Sequence, residues 1–493
     1  MKKKKSVLLA SMICLALQTG TVYAATQQLS PNTYEDYQEL GGDKKTEQVQ
    51  INEEGTYNFK NGVTITNTDR DGNPTPIIKN SNKNIIINVE NNDLNLISQG
   101  KIDDHSSSSS WYNTKNNIIE NKGDGNTTIN LTNSNIIFDG VYDAAVTGDN
   151  INIQGDGNSD VYILGDMNIG LELTGRNNKI SNITGIKDFK IISNKDYSLS
   201  PNGSIHAIQI FGNTLNLDVK NFQIGNINDF KNINFNSAID IAGGNLHLKA
   251  DKVNINSVKY GISNMVGYVD ITTNKEFNIN TIDGVGIYDL LGNGININAD
   301  NITINGIGPD NQEDGSAIGQ GIYATGQLNL NAKNDITITG DALGVELGAA
   351  GSVGDPDDER NFGKADIISE NGNINIISSQ FVGLVGMIKP YQNFIRDVNI
   401  EAKQDINIAG VDKGIFYEPG SRNLTIKSTD KNINILSDNI GFLATNIERT
   451  GSVGTPGRVV KVGTGELRGY VNIETPKGDV SIIGKNSGLI IHN

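Results

Sequence analysis

From about residue 84 onwards, short segments that alternate apolar and polar residues recur along the chain. A typical copy contains Val398–Ile400, then Ile406–Ile408, and then the glycine-aliphatic pair Gly414–Ile415. Alternation with a period of two is the pattern of a β-strand that buries one face. Each copy therefore predicts three short strands joined by polar turns.

The spacing of these copies predicts how the strands assemble. Copies start at residues 246, 269, 295, 328, 366, 398, 424 and 471, which are 23 to 47 residues apart. One copy is too small to bury its own apolar face, whereas stacked copies bury a continuous core. The sequence therefore predicts an all-β solenoid, a parallel β-helix with three sheets, in which the longer spacings are loops inserted at corners.

The stacking hypothesis assigns a direction to individual side chains. We expect the isoleucines of the strands to point inward and the intervening asparagines to point outward. Inward residues would include Ile279, Ile338, Ile408 and Ile435, and outward residues would include Asn278, Asn407 and Asn434. Asparagine is unfavourable in ordinary strands, but stacked coils allow amide ladders along a face or left-handed turns at corners.

Other all-β architectures fit the pattern less well. Propeller blades need about 40–50 residues and four antiparallel strands joined by hairpins. Most of the repeats here are shorter, and few Asn-Gly or Asp-Gly pairs join adjacent strands as two-residue hairpins. A propeller or a series of β-sandwiches remains the alternative to the solenoid.

Composition excludes two further classes of protein. The chain contains 69 Asn, 68 Ile and 56 Gly among 493 residues, and only 19% of its residues are charged. This low charge density and the abundant isoleucine argue against a disordered acidic chain. Both Ile and Asn are poor helix formers, which argues against a helical enzyme.

The N-terminus predicts export. Four lysines, Lys2 to Lys5, precede an apolar stretch from Ser6 to Leu17, and Val22–Ala24 supplies a small-residue cleavage site. This order is that of a secretory signal peptide covering residues 1–24, and the apolar stretch is too short to span a membrane. Cys14 is the only cysteine, so the mature chain would contain no disulfide.

The negative charge of the mature chain argues against anionic binding partners. Removing the four lysines from a formal charge of −16 leaves −20. A chain that is so acidic is a poor match for nucleic acid or for an anionic membrane surface.

Together, the signal peptide, the polar segment that follows it and the Asn-Ile-x-Ile coils resemble the passenger of a type V autotransporter adhesin. Such passengers belong to the pectin-lyase-like superfamily of right-handed parallel β-helices. The resemblance implies a polar segment and β-helix cap over 25–83, and a β-helix passenger over 84–493. It also implies display on the outer surface of a Gram-negative-type envelope.

The resemblance further implies an outer-membrane translocator barrel, which this sequence does not contain because it closes on Gly488–Asn493 within a coil. The expectation is a barrel encoded in cis if the chain is a fragment, and otherwise one supplied in trans. A two-partner-secretion exoprotein is the second possibility, because Ser200–Gly203 partly resembles the Asn-Pro-Asn-Gly motif of that family.

Candidate chemistry is sparse. Hydrolases of the pectin-lyase-like superfamily carry clustered carboxylates, a Gly-His-Gly and an Arg-Ile-Lys. Asn67–Asp69 matches one part and Asp103–Asp104 could match another, but the two other motifs are missing. The four histidines, at positions 105, 206, 247 and 492, are scattered, and His247 is expected to face solvent. We therefore expect no catalytic residue and no cofactor, with a polysaccharide lyase or hydrolase as the alternative.

One segment has part of a calcium-binding pattern. Asn67, Asp69 and Asp71 are followed by Gly72, which matches the oxygen ligands and the glycine of a calcium loop. The twelfth position is Ile78 instead of the bidentate glutamate, so a solvated turn is the favoured interpretation. No metal site is predicted, and these three residues remain the calcium candidates.

Three insertions, at about 99–116, 307–321 and 348–365, interrupt the coils. The first contains Trp111 and Tyr112, an aromatic pair beside a polar run that could contact sugars or protein. The alternative is that Trp111 packs against the rod. The predicted function is therefore non-enzymatic adhesion to glycans or proteins of host or bacterial surfaces.

Overall fold

The computed structural model describes residues 25–42, 47–68, 74–100, 116–175, 179–194, 205–226, 235–290, 293–308, 319–347, 349–350, 363–386, 393–417, 423–445, 454–455, 458–459 and 471–492. Within these ranges every regular element is a β-strand. No helix long and apolar enough to cross a membrane occurs in this part of the chain.

The described residues form 43 strands, numbered here in chain order. They are β1 Ala25–Gln28, β2 Thr33–Tyr34, β3 Gln38–Gly41, β4 Glu47–Gln50, β5 Gly55–Phe59, β6 Val63–Thr68, β7 Ile78–Asn80, β8 Asn84–Glu90, β9 Leu94–Gln99, β10 Asn117–Asn121, β11 Asn126–Thr132, β12 Ile136–Gly148, β13 Ile151–Gln154, β14 Val161–Thr174, β15 Ile180–Ser193, β16 His206–Phe211, β17 Asn213–Ile224, β18 Ser237–Ile241, β19 Gly244–Ser257, β20 Tyr260–Asn264, β21 Tyr268–Thr281, β22 Val285–Asp289, β23 Gly294–Ala299, β24 Asn301–Gly306, β25 Gln320–Ala324, β26 Leu328–Ala332, β27 Ile336–Gly340, β28 Leu343–Leu347, β29 Ala349–Ala350, β30 Gly363–Ser369, β31 Ile374–Ser378, β32 Val382–Gly386, β33 Asn393–Ala402, β34 Ile406–Gly410, β35 Lys413–Tyr417, β36 Asn423–Ser428, β37 Ile433–Ser437, β38 Ile440–Thr445, β39 Gly454–Thr455, β40 Arg458–Val459, β41 Val471–Glu474, β42 Val480–Gly484 and β43 Ser487–His492.

Strand pairing follows three parallel series, in which each strand pairs with its equivalent one coil later. The first series, called the first sheet, is β2-β5-β8-β11-β13-β15-β17-β19-β21-β23-β26-β30-β33-β36-β41. The second sheet is β3-β6-β9-β12-β14-β15-β17-β19-β21-β24-β27-β31-β34-β37-β42. The third sheet begins with β1-β4 and a bridge to β7, and continues β10-β12-β14-β16-β18-β20-β22-β25-β28-β32-β35-β38-β43.

Long strands such as β12 and β21 turn a corner and therefore contribute to two sheets. Antiparallel pairing among the described residues is limited to two short contacts, β29 with β33 and β39 with β40. The prediction of an all-β chain built by parallel stacking is confirmed, and the antiparallel alternatives are wrong. The three series continue without interruption across residue 84, the predicted start of the coils.

The core is a continuous stack of aliphatic side chains on the inner side of the strands. Along the second sheet, Ile304, Ile338, Ile376, Ile408 and Ile435 are successive register partners, and each is essentially fully buried. Each buried side chain of this kind contributes about 1.5–3 kcal/mol. The expected inward direction of Ile279, Ile338, Ile408 and Ile435 is confirmed.

The outer side of the strands carries amide ladders. In one ladder, Asn407 Nδ2 donates to Asn375 Oδ1 at 2.8 Å, and Asn434 Nδ2 donates to Asn407 Oδ1 at 2.9 Å. Asn278 donates in the same way to Asn254 at 3.0 Å. Parallel, in-register stacking allows one amide to donate upward while it accepts from below, which explains why the strands tolerate so much asparagine.

A column of glycines in the third sheet explains the recurrent glycine-aliphatic pair. A Cβ on Gly321 would lie 2.5 Å from the carbonyl oxygen of Gly344 and 2.5 Å from Ile338 Cγ2. Gly286 would make the same contacts with Gly321 and Ile304, at 2.6 and 2.5 Å. The third sheet thus approaches the isoleucines of the second sheet so closely that these coils have no space for a side chain.

Candidate functional site

The outer face of the third sheet carries two adjacent columns of side chains. In these strands two consecutive residues face the core: a glycine or alanine, and the aliphatic residue after it. In β22, for example, a Cβ on Gly286 would touch Ile304, and Ile287 is fully buried. The residue before this pair and the residue after it therefore share the outer face. We call this surface the third-sheet strip. Its first column is His206, Ser237, Tyr260, Val285 and Gln320, and its second is Gln209, Asp240, Ser263, Tyr288, Tyr323 and Glu346.

Contacts within the strip run diagonally, from the first column to the second column one coil later. His206 Nδ1 lies 4.0 Å from Asp240 Oδ2, and Gln320 Nε2 donates to Glu346 Oε2 at 3.0 Å. Between these polar pairs, the ring centroids of Tyr260 and Tyr288 lie 5.2 Å apart. The same backbone geometry thus produces an aromatic centre with a polar pair on each side.

The aromatic centre is a short stack along the rod axis. Tyr288 and Tyr323 are register partners whose rings lie 5.2 Å apart with planes inclined by 17°. Burial, followed by the negative charge of Glu346 and by Tyr288, raises the pKa of Tyr323 to about 12. Burial also raises the pKa of Tyr288. Both phenols are therefore neutral at pH 7, and both rings remain partly exposed.

The upstream polar pair contains a buried histidine without a hydrogen bond. The side chain of His206 is 6% exposed, and neither ring nitrogen has a hydrogen-bond partner among the described residues. Burial lowers the pKa of His206, against the opposing effect of Asp240, so the imidazole is neutral at pH 7. Asp240 in turn accepts a hydrogen bond from Gln209 Nε2 at 3.3 Å. A buried orphan nitrogen costs about 1–3 kcal/mol, which a polar ligand would recover.

These residue types favour binding over catalysis. Tyrosine faces pack against apolar faces of ligands, and carboxylates accept hydrogen bonds from hydroxyl groups. Asp240 and Glu346 are four coils apart, or about 19 Å at the usual strand spacing. Paired carboxylates in glycosidases lie about 5–10 Å apart. Among the described residues, no group of three or more His, Cys, Asp or Glu side chains could hold a metal ion.

The predicted calcium candidates are only partly within the described residues. Asn67 is buried, and its amide closes a corner between coils. Its Nδ2 donates to the carbonyl oxygens of Val49 and Thr75, both at 2.9 Å, and its Oδ1 accepts from the Val49 N–H at 2.8 Å. Asp69 and Asp71 lie outside the described residues, so the calcium hypothesis stays a prediction.

The predicted contact pair, Trp111 and Tyr112, lies outside the described residues, as do Asp103 and Asp104. The proposal that they bind a partner therefore stays a prediction. His247 is inside them, and its side chain is 44% exposed, 3.8 Å from Asp270. The expectation that His247 faces solvent is confirmed.

Sequence reasoning missed the third-sheet strip, although a signal for part of it was present. Tyr288 and Tyr323 each follow a Gly-Ile pair directly, as Gly286-Ile-Tyr and Gly321-Ile-Tyr. Alignment of the copies on the glycine would have placed the two rings in one column. The diagonal contact with Tyr260 could not be found in this way, because it depends on both residues that flank the inward pair.

Comparison with known proteins identifies no relative. No protein-family model, no curated protein and no solved structure matches the chain.

Proposed function

We propose that this protein is a secreted, surface-displayed adhesin that binds its partners through the outer faces of a rod and catalyses no reaction. The proposed rod is a right-handed, three-sheet parallel β-helix of the pectin-lyase-like type, the passenger of a type V autotransporter. The N-terminal segment 1–24 supports export, and the mature sequence, which has no cysteine, suits an oxidising compartment.

The observation that supports binding is the third-sheet strip, on an otherwise regular polar rod. Tyr260, Tyr288 and Tyr323 form a partly exposed aromatic cluster in which Tyr288 and Tyr323 stack, with polar pairs before and after it. Extended surfaces with repeated weak contacts hold their partners by multivalency. Glycans or proteins of host or bacterial surfaces are the proposed partners, with an outer-membrane barrel in cis or in trans as the anchor.

The proposal is tested by attachment. Beads coated with purified residues 25–493 should adhere to a panel of bacterial and host cells more strongly than beads coated with the variant Ile408→Asp, whose buried charge should prevent correct packing. Circular dichroism would confirm the folded state of the first protein and its loss in the second. Equal attachment of both coatings would contradict the proposal.

Catalysis is the alternative that the same material can test. Release of reducing ends or unsaturated sugars from polysaccharides, abolished by Asp69→Asn or Asp104→Asn, would replace adhesion by a lyase or hydrolase activity. A two-partner-secretion exoprotein would attach in the same way and would differ in its genetic context.

A further inference from the structure

We infer that the third-sheet strip binds an uncharged polysaccharide whose chain lies along the rod axis across successive coils. This inference rests on the proposed function, because it names the ligand class of an adhesive surface. The experiment below is chosen so that either can fail without the other.

The aromatic centre sets the type of contact. Tyr288 and Tyr323 stack nearly parallel at 5.2 Å, one coil apart, and so present a platform that continues along the axis. The apolar faces of sugar rings pack against such rings, while the phenol hydroxyls stay neutral and can donate to sugar oxygens. A platform that spans more than one coil suits an extended chain better than a single sugar.

The polar pairs at the two ends of the strip are almost fully buried, since Asp240 is 9% exposed and Glu346 is 6% exposed. The tyrosine rings are therefore the main contact surface for a ligand, and the polar pairs lie beside it. Glu346 is oriented by Gln320, and Asp240 is oriented by Gln209. His206 adds a buried imidazole whose two ring nitrogens have no hydrogen-bond partner within the described ranges, one being a donor and the other an acceptor in the neutral form. A ligand hydroxyl that reached this imidazole would satisfy it.

The negative charge of the strip predicts which class of polysaccharide it binds. No lysine or arginine occurs in either column of the strip from His206 to Glu346, whereas Asp240 and Glu346 are both acidic. The chain as a whole carries a formal charge of −16. Uronic-acid or sulfated chains would therefore be repelled at this face, and hydroxyl-rich neutral chains would not.

The experiment compares four soluble polymers of three charge classes by affinity electrophoresis and calorimetry with purified residues 25–493. The polymers are an uncharged β-glucan and a galactomannan as one class, polygalacturonate as a polyanion, and chitosan oligomers as a polycation. We expect binding of at least one uncharged polymer and none of polygalacturonate. Preferential binding of polygalacturonate, or binding of chitosan alone, would overturn the inference.

The test variant is Tyr288→Leu/Tyr323→Leu, because Leu443 already occupies the same column in a later coil. It should weaken binding of the uncharged polymer about tenfold or more, since two stacking contacts are lost. The matched control is Tyr37→Ala, an exposed tyrosine between β2 and β3 and outside the strip, which should bind normally. Unchanged binding by the double variant, or equal losses in both, would overturn the inference.

Two further measurements separate stacking from folding and from the general function. Tyr288→Phe/Tyr323→Phe retains the rings and should lose less affinity than the leucine pair, with an unchanged melting temperature. If coated beads attach to cells while no uncharged polymer binds, adhesion stands and the proposed ligand class is wrong. If an uncharged polymer binds at the strip while coated beads attach to nothing, the ligand class stands and adhesion fails.

Discussion

Asn434 donates a hydrogen bond from Nδ2 to Oδ1 of Asn407 at 2.9 Å, one coil earlier in the rod. Asn407 donates onward to Asn375 at 2.8 Å, so each amide both donates and accepts along the axis. This ladder changes the expected effect on stability of substituting an outward asparagine. Alternation alone predicts that a substitution on the outer face has little effect, whereas a ladder ties three coils together.

Asn407→Asp should therefore lower the free energy of unfolding by about 1 kcal/mol, because the donor to Asn375 is replaced by a charged acceptor. Urea denaturation measures the change. The matched control is Asn472→Asp, at an exposed position with no hydrogen bond from its side chain among the described residues, where the change should stay within about 0.5 kcal/mol. Equal losses at the two sites would mean that the ladder does not stabilise the rod.

Ile376 and Ile377 are neighbours in the same strand and provide a direct test of register. Ile376 is fully buried between Ile338 and Ile408, whereas Ile377 is 37% exposed on the outer face. Ile376→Ala should destabilise the protein by roughly 2–5 kcal/mol, and Ile377→Ala by less than about 1 kcal/mol. Thermal and urea unfolding of both variants would measure these two losses of stability. The reverse order would place the strand one residue out of register.

The sequence predicted the parallel stacking of strands because one physical requirement repeats throughout it. An apolar β-branched residue at every second position must be buried, and Ile338, Ile408 and Ile435 achieve this only by stacking on their equivalents. The candidate site was not predictable in the same way. Tyr288 and Tyr323 are separated by 35 positions, and their meeting depends on where each coil turns its corners. The burial of His206 without a hydrogen bond from the described residues depends on local packing, which alternation does not encode.

Asp289 should make stability depend on pH with a definite sign. It is fully buried, and burial raises its pKa to about 6, against hydrogen bonds from the Gly326 N–H and Asn264 Nδ2. An unfolded aspartate titrates near 3.9, so the folded state binds the proton more tightly. The stabilising contribution is therefore complete below about pH 4 and is lost as the pH rises through 6.

Comparison of the wild type with Asp289→Asn at pH 4 and pH 7.5 measures this effect. Relative to the variant, the wild type should be less stable at pH 7.5 than at pH 4, on the order of 2 kcal/mol. Asp156 provides the opposite case, because hydrogen bonds led by the Asn133 N–H lower its pKa to about 2. Asp156→Asn should remove stability that the wild type has above pH 4. The same sign for both variants would contradict these assignments.

His206 should make stability depend on pH with the opposite sign to Asp289. Its pKa is lowered by burial, whereas an unfolded histidine titrates near 6.5, so below that pH the unfolded chain takes up a proton that the folded chain refuses. The contribution of neutral His206 is therefore present above about pH 6.5 and is lost as the pH falls.

In an Asp289→Asn background, lowering the pH from 7.5 to 5.5 should reduce the urea midpoint, and His206→Phe should remove most of that reduction. His247→Gln, which changes an exposed histidine, should behave like the background. If His206→Phe lost as much stability on acidification as the background did, the buried imidazole would not be the group that titrates.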